Sequence, residues 1–184
     1  MFKGLIIGII VGVLLVAAAV YFYFATGRVP VATTAPDMPF ERTLTRTALH
    51  AYLDKLPHTE PTIAADESNL TEGAKVYVGN CAVCHGLPGQ NRTAIAEGMY
   101  PRPPQLFKGT GVTDDDAWET YWKAESGIRM TGMPGFKGRL NEEQIWQVTL
   151  LLKNADKISP AVRTVLAPPT TPTDAETKSA PLKH

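Results

Sequence analysis

The stretch Cys81-Ala82-Val83-Cys84-His85 constrains this chain more than any other, because it holds the only two cysteines in 184 residues and sets a histidine directly behind them. Two thiols three positions apart on one helical turn can each form a thioether to a haem vinyl group, and the next residue then offers its imidazole to iron. This is the attachment signature of a c-type haem. A disulfide, a redox dithiol and half of a zinc site are the competing readings. Zinc takes about four N or S ligands, yet His50, His58 and His184 lie far off with no ligand spacing between them. A thioredoxin-type pair belongs in a βαβ pattern, and the surroundings here read as helix and loop. With both cysteines given to one haem no disulfide remains, so the cofactor itself is expected to hold much of a small core.

Residues 1–25 read as a membrane span. After Lys3, the run from Gly4 to Ala25 carries no charge, and a helix of that length rises about 33 Å against a hydrocarbon core of about 30 Å. Tyr21 to Phe24 stand where an interfacial aromatic belt belongs. A cleavable signal peptide, cut at the Ala17-Ala18-Ala19 stretch, is the alternative; the apolar run continues past Ala19, which suits a retained anchor better. Covalent haem attachment takes place on the outer side of a bacterial inner membrane, so the remainder is expected in the periplasm. Zero formal charge argues against nucleic acid as a partner and against electrostatic adsorption to lipid.

A Pro, Thr and Ala-rich linker covers 26–38. An amphipathic helix is predicted over 39–57, with Asp37 as cap, Pro39 in the first turn and Pro57 as stop. Phe40, Leu44, Ala48, Tyr52 and Leu56 recur at intervals of four, widened by Leu49 and Leu53. Such a stripe serves either to pack on the same domain or to dock a partner subunit. His50 and His58 read as surface histidines. A connector, 58–68, follows.

The main domain is predicted over 69–160. Asn69 and Glu72 match a capping box opening a helix whose buried face is Leu70, Ala74, Tyr77, Val78 and Cys81, with Gly73 leaving room for another helix. Residues 85–111 are rich in Gly and Pro and lack periodicity, as suits a loop wrapping an apolar disc. Thr113 reads as the cap of a helix carrying Ala117, Trp118, Tyr121 and Trp122. A second glycine-rich loop spans 127–136. Asn141 and Gln144 form another capping box, opening a helix with Ile145, Trp146, Val148, Thr149, Leu151 and Leu152. Residues 161–184 read as a disordered tail. No repeat and no convincing strand appears.

A helix with Gly73 and Tyr77, the Cys81-x-x-Cys84-His85 motif, Pro103-Pro104-x-Leu106, Met133-Pro134 and a closing helix with Trp146 together resemble the class I monohaem cytochrome c family. The resemblance covers about residues 69–157, and the span plus leading helix is further similar to membrane-anchored bacterial cytochromes c. It implies an all-α fold around one covalent haem c, with first and last helices crossing beside it and Gly73 and Tyr77 set against Trp146 and Leu150. It implies His85 as proximal iron ligand, Pro104 as acceptor of its Nδ1 proton and Leu106 lining the haem face. Of Met99, Met130 and Met133, it favours Met133 as distal ligand. Arg102, Trp122 and Arg129 are candidate propionate contacts, since a buried propionate needs a donor.

His/Met ligation would leave no open position on iron and raise its potential relative to two nitrogen ligands. The expected work is one-electron transfer, not catalysis, by a membrane-anchored carrier in a periplasmic respiratory chain, with redox proteins as partners. The alternative is a haem subunit of a larger membrane complex: a quinol-oxidising complex, a terminal oxidase or a periplasmic dehydrogenase. An enzyme or gas sensor would need one axial position free, and a single haem motif disfavours a peroxidase.

Overall fold

The computed structural model describes residues 2–167, and the chain divides into two units, Met1–Lys55 and Leu56–His184. The part of the expected tail from residue 168 onward lies outside the described residues. Among the described residues all regular elements are helices; the only β feature there is an isolated bridge between Lys137 and Leu140.

In the first unit, α1 (Phe2–Ala25) is unbroken for 24 residues and none of them is buried. Leu, Ile, Val, Ala and aromatic side chains surround it on every side, so it has no polar face. It is long and apolar enough to cross a membrane. The second helix, α2 (Glu41–Leu53), is shorter than its apolar repeat suggests. Phe40, in the left-handed region at φ 63°, precedes it, so Pro39 lies outside the first turn. Asp37 does not cap it; its carboxylate accepts from Arg42 at 2.7 Å while Glu41 accepts from the Met38 amide at 2.9 Å. The helix ends at Leu53, with Asp54 as its C-cap, three residues before the point where Pro57 would force a stop. Leu53 is buried and Leu49 half-buried, whereas Phe40 and Leu44 are 75% and 66% exposed. The stripe thus divides into one covered edge and one bare edge.

The second unit is organised by α3 (Glu67–Asn80) and α7 (Glu142–Lys153), which form its largest helix-to-helix interface. Asp66, not Asn69, caps α3: its carboxylate accepts from the Asn69 amide at 2.9 Å. Asn69 is used elsewhere, donating to Ala64 O and accepting from the Gln147 side chain. The capping box of α7 is formed as expected by Asn141 and Gln144. Gly73 faces the backbone of Gln147 and the Leu151 side chain, not Trp146 and Leu150, and Tyr77 sets its ring edge-on to Phe107 at 5.0 Å. Trp146 instead stacks on Tyr121 of α6 (Ala117–Ser126), centroids 4.2 Å apart. That helix starts from Asp116, not Thr113, whose hydroxyl donates back to Thr110 O.

Two short helices complete the fold beside the haem motif's own turn, α4 (Ala82–His85). One is α5 (Ala94–Gly98), capped by Thr93. The other, α8 (Pro160–Val165), falls where the sequence predicts the start of a disordered tail. Ser159 caps it, Pro160 starts it, and Val162 and Leu166 are fully buried in the cluster built by Ala74, Tyr77, Val148, Leu151 and Ile158. Ser159 also donates to Glu67 at 2.9 Å, tying α8 to the start of α3. Fully burying two aliphatic side chains stabilises by roughly 3–6 kcal/mol, enough to order a segment too short to be helical alone.

Candidate functional site

The C-terminus of α3 delivers the motif. The Cys81 amide donates to Tyr77 O at 2.8 Å, and the amides of Cys84 and His85 both donate to Cys81 O, at 3.1 and 2.9 Å, so the five residues form one helical turn. Gly86, at φ 75°, then turns the chain away, and its carbonyl accepts from the buried Tyr77 hydroxyl at 2.7 Å. Tyr77 thus braces the motif from behind, and burial raises its pKa above the ordinary 10.0. The two thiols are half-buried and not joined to each other. Burial, with the neighbouring Cys84 adding to it, pushes the Cys81 thiol up to about 12. A redox dithiol works through a lowered thiol pKa, so this environment argues against that reading.

His85 Nδ1 lies 2.8 Å from Pro104 O. A carbonyl only accepts, so the ring proton sits on Nδ1 and the Nε2 lone pair is left for a metal. Burial lowers the His85 pKa from its ordinary value, and the bond to Pro104 opposes this in part. The residues on either side of Pro104 are fastened in turn: Arg92 Nη1 donates to Pro103 O at 2.6 Å, and Gln105 Nε2 to Gln90 O at 3.0 Å. Sequence reasoning missed Arg92 and Gln105, whose partners lie 11 and 15 positions away in a loop without periodicity. A cavity of about 380 Å³ opens on His85, walled by Leu87, Gln90, Asn91, Gln105, Phe107 and Lys108. Three side-chain amides, from Gln90, Asn91 and Gln105, stand among its walls. Leu106 is half-buried and packs on the core.

Met133 stands on a separate loop strung from the end of α6. The amides of Phe136 and Lys137 donate to Ala124 O and Glu125 O, both at 3.0 Å. Gly127, at φ 71°, lies so close to this loop that a Cβ would meet Gly135 N at 2.5 Å and Met133 O at 2.9 Å. Met133 is half-buried, and its amide donates to Thr131 Oγ1 at 3.1 Å. Met130 is 72% exposed at φ 62°, and Met99 lays its methyl against Gly132. Arg102 and Arg129 are exposed, while Trp122 is half-buried on α6.

The motif's donors fit a covalently held haem: one imidazole with its tautomer fixed and Nε2 unspent, and two unjoined thiols on one turn. Trp146 Nε1 and Thr149 Oγ1 are buried on α7 without a protein partner. Among the described residues no group of three or more His, Cys, Asp or Glu side chains is arranged to hold a metal ion.

A family described as "Cytochrome C oxidase, cbb3-type, subunit III" matches residues 68–151. Cytochrome c6 of Thermosynechococcus vestitus is 36% identical over 87 residues, covering 47% of this chain and 70% of that one. Cytochrome c6 of Parathermosynechococcus lividus is 35% identical over 81 residues, 44% of this chain and 84% of its own. A protein named 1-butanol dehydrogenase (cytochrome c), from Thauera butanivorans, is 32% identical over 93 residues that make up half of this chain and 12% of that one. No solved structure gives a significant match. The motif, the all-helical frame that carries it and these relatives together place the chain among the class I monohaem c-type cytochromes, with haem c attached through Cys81 and Cys84.

Proposed function

We propose that this cytochrome is anchored by α1 in a bacterial inner membrane and carries single electrons in a periplasmic respiratory chain, with His85 and Met133 as its iron ligands. The observation that carries this reading is the 2.8 Å contact between His85 Nδ1 and Pro104 O, which leaves Nε2 as the only ring nitrogen able to bind metal. When bound, the haem supplies a one-electron Fe(III)/Fe(II) couple. Pro104 orients the imidazole and raises its basicity. The clasp of Gly127 on the Met133 loop holds the thioether in one place, and Leu106 with its core neighbours keeps water from the apolar face. Arg102, Trp122 and Arg129 are the donors offered to the propionates. No general acid, base or nucleophile is required of the chain, in keeping with a carrier.

The ligand assignment is tested by the long-wavelength absorption band that sulfur ligation gives ferric haem. It is expected to vanish in Met133→Ala and survive in Met130→Ala; the opposite pattern reassigns the ligand. Removing residues 1–25 is expected to yield a soluble, still red protein.

A second reading, service as the haem subunit of a larger membrane assembly, is favoured by the bare edge of α2, where Phe40 and Leu44 are largely exposed. Mild solubilisation followed by sizing distinguishes the two, since a subunit runs with protein partners and a free carrier runs alone.

A further inference from the structure

We propose that Arg92 is a positioning residue for the axial imidazole: by gripping the Pro103 carbonyl it fixes the adjoining Pro104 carbonyl, and through it the ring of His85. The inference rests on His85 being an iron ligand. Its physical basis lies in the Pro103-Pro104 pair. Neither residue has an N–H, so this stretch cannot be fastened by its own amides and must be held by its carbonyls or by neighbouring side chains. Two carbonyls are available. The one from Pro104 is spent on His85, which leaves that of Pro103 as the backbone handle.

Arg92 takes that handle at 2.6 Å, a charge-assisted bond of the short, strong kind. The bond is part-buried, running from an exposed arginine to a buried proline, so water weakens it less than on an open surface. The arginine's own loop is fixed in turn: Thr93 Oγ1 donates to Val83 O at 2.7 Å, inside the haem motif, and accepts from the Ala96 amide at 3.1 Å. Gln105 closes the opposite side by reaching Gln90 O. The bonds form a circuit from Val83 through Thr93, Arg92, Pro103 and Pro104 back to His85, two residues from where it began. A ring hydrogen bond placed by such a circuit keeps its length when the iron changes charge. The stronger that bond, the more basic the imidazole and the more the ferric state is favoured. Releasing Arg92 therefore raises the reduction potential.

The test uses full-length holoprotein in detergent, as wild type, Arg92→Ala and Arg92→Lys. Two quantities are read: the midpoint potential by spectroelectrochemistry, and the exchange of the His85 Nδ1 proton with deuterated solvent by paramagnetic NMR. Arg92→Ala is expected to shift the potential upward and to speed exchange about tenfold or more, the scale of losing a hydrogen bond from a charged donor. Arg92→Lys is expected to fall between, since it keeps the charge and loses the planar fork. As a control, Ser159→Ala, which breaks the bond to Glu67, is expected to lower the melting temperature and leave both readouts in place. Unchanged potential and exchange in Arg92→Ala overturn the inference. If that variant fails to acquire haem, Arg92→Lys and Gln105→Ala are read by the same two quantities, and unchanged values in both overturn the inference equally. His85→Ala separates the two levels: loss of the low-spin spectrum there, with Arg92→Ala unchanged, overturns the role of Arg92 alone, whereas a persisting low-spin spectrum overturns both.

Discussion

Gly73 of α3 rests directly on the peptide of Gln147 in α7, so that a Cβ at position 73 would overlap the Gln147 carbonyl. Backbone cannot swing aside as a side chain can, so Gly73→Ala must push the two helices apart. A cost of about 1–3 kcal/mol is expected, the range for overpacked cores. Gly79 on the same helix has nothing within 4 Å of its missing Cβ. Gly79→Ala is therefore expected to stabilise by up to about 1 kcal/mol through helix propensity alone. Denaturant melts of the two holoproteins, moving in opposite directions, check the pair.

The start of α3 provides a second check. Asp66→Ala is expected to cost about 1 kcal/mol, the usual loss on removing an N-cap. Glu72 pairs with the exposed Lys75, so Glu72→Ala is expected to change stability by less than about 0.5 kcal/mol. Equal losses would restore Asn69 and Glu72 as the capping pair.

Tyr77 gives a pH dependence of defined sign. Its folded pKa lies above the ordinary 10.0 because of burial; in the holoprotein the second cause, the Cys81 thiolate, is gone once that sulfur is a thioether. Above pH 10 the unfolded chain loses the phenol proton while the folded chain keeps it, so stability falls as pH rises. The contribution of one such proton is at most about 1.4 kcal/mol per pH unit. Tyr77→Phe is expected to lose about 1 kcal/mol at neutral pH with the bond to Gly86 and to show a shallower decline between pH 10 and 12. Urea melts across that range measure both effects.

Gly127 tests the methionine loop. Gly127→Ala places a methyl against Gly135 and the Met133 carbonyl, and the sulfur-dependent absorption band is expected to weaken or vanish. Gly138 also has a positive φ, of 82°, but open space around it. Gly138→Ala is expected to cost about 1–2 kcal/mol of backbone strain and to leave the band intact.

Much of the fold and of the site is legible in the residues. The haem turn, the α7 capping box and the all-helical frame follow from local rules that the fold leaves unopposed. The cap of α3 is ambiguous because Asp66-x-x-Asn69 and Asn69-x-x-Glu72 overlap, and only the tertiary demand on Asn69, from Ala64 and Gln147, decides between them. The partners of Gly73 lie one residue from those expected, since a helix face read from periodicity cannot resolve adjacent positions. The last helix escapes notice although Ser159-Pro160 is a fair N-cap and first-turn signal; six residues carry no period, and their burial exists only on the surface that α3 and α7 make. Arg92 has no sequence signal, because its role depends on what a proline cannot do eleven residues later.

The hydrogen bond between His85 and Pro104 joins residues nineteen positions apart, so the chain between them is a closed ring with its clasp at the imidazole. Lengthening such a ring at its outer edge costs only closure entropy, about 0.6 kcal/mol for a doubling. Gly98 is exposed, with nothing within 4 Å of a would-be Cβ, and lies beyond the residues that brace the clasp. That makes it a place to splice in a recognition peptide or a label and wire this cytochrome to a chosen partner without disturbing the haem turn.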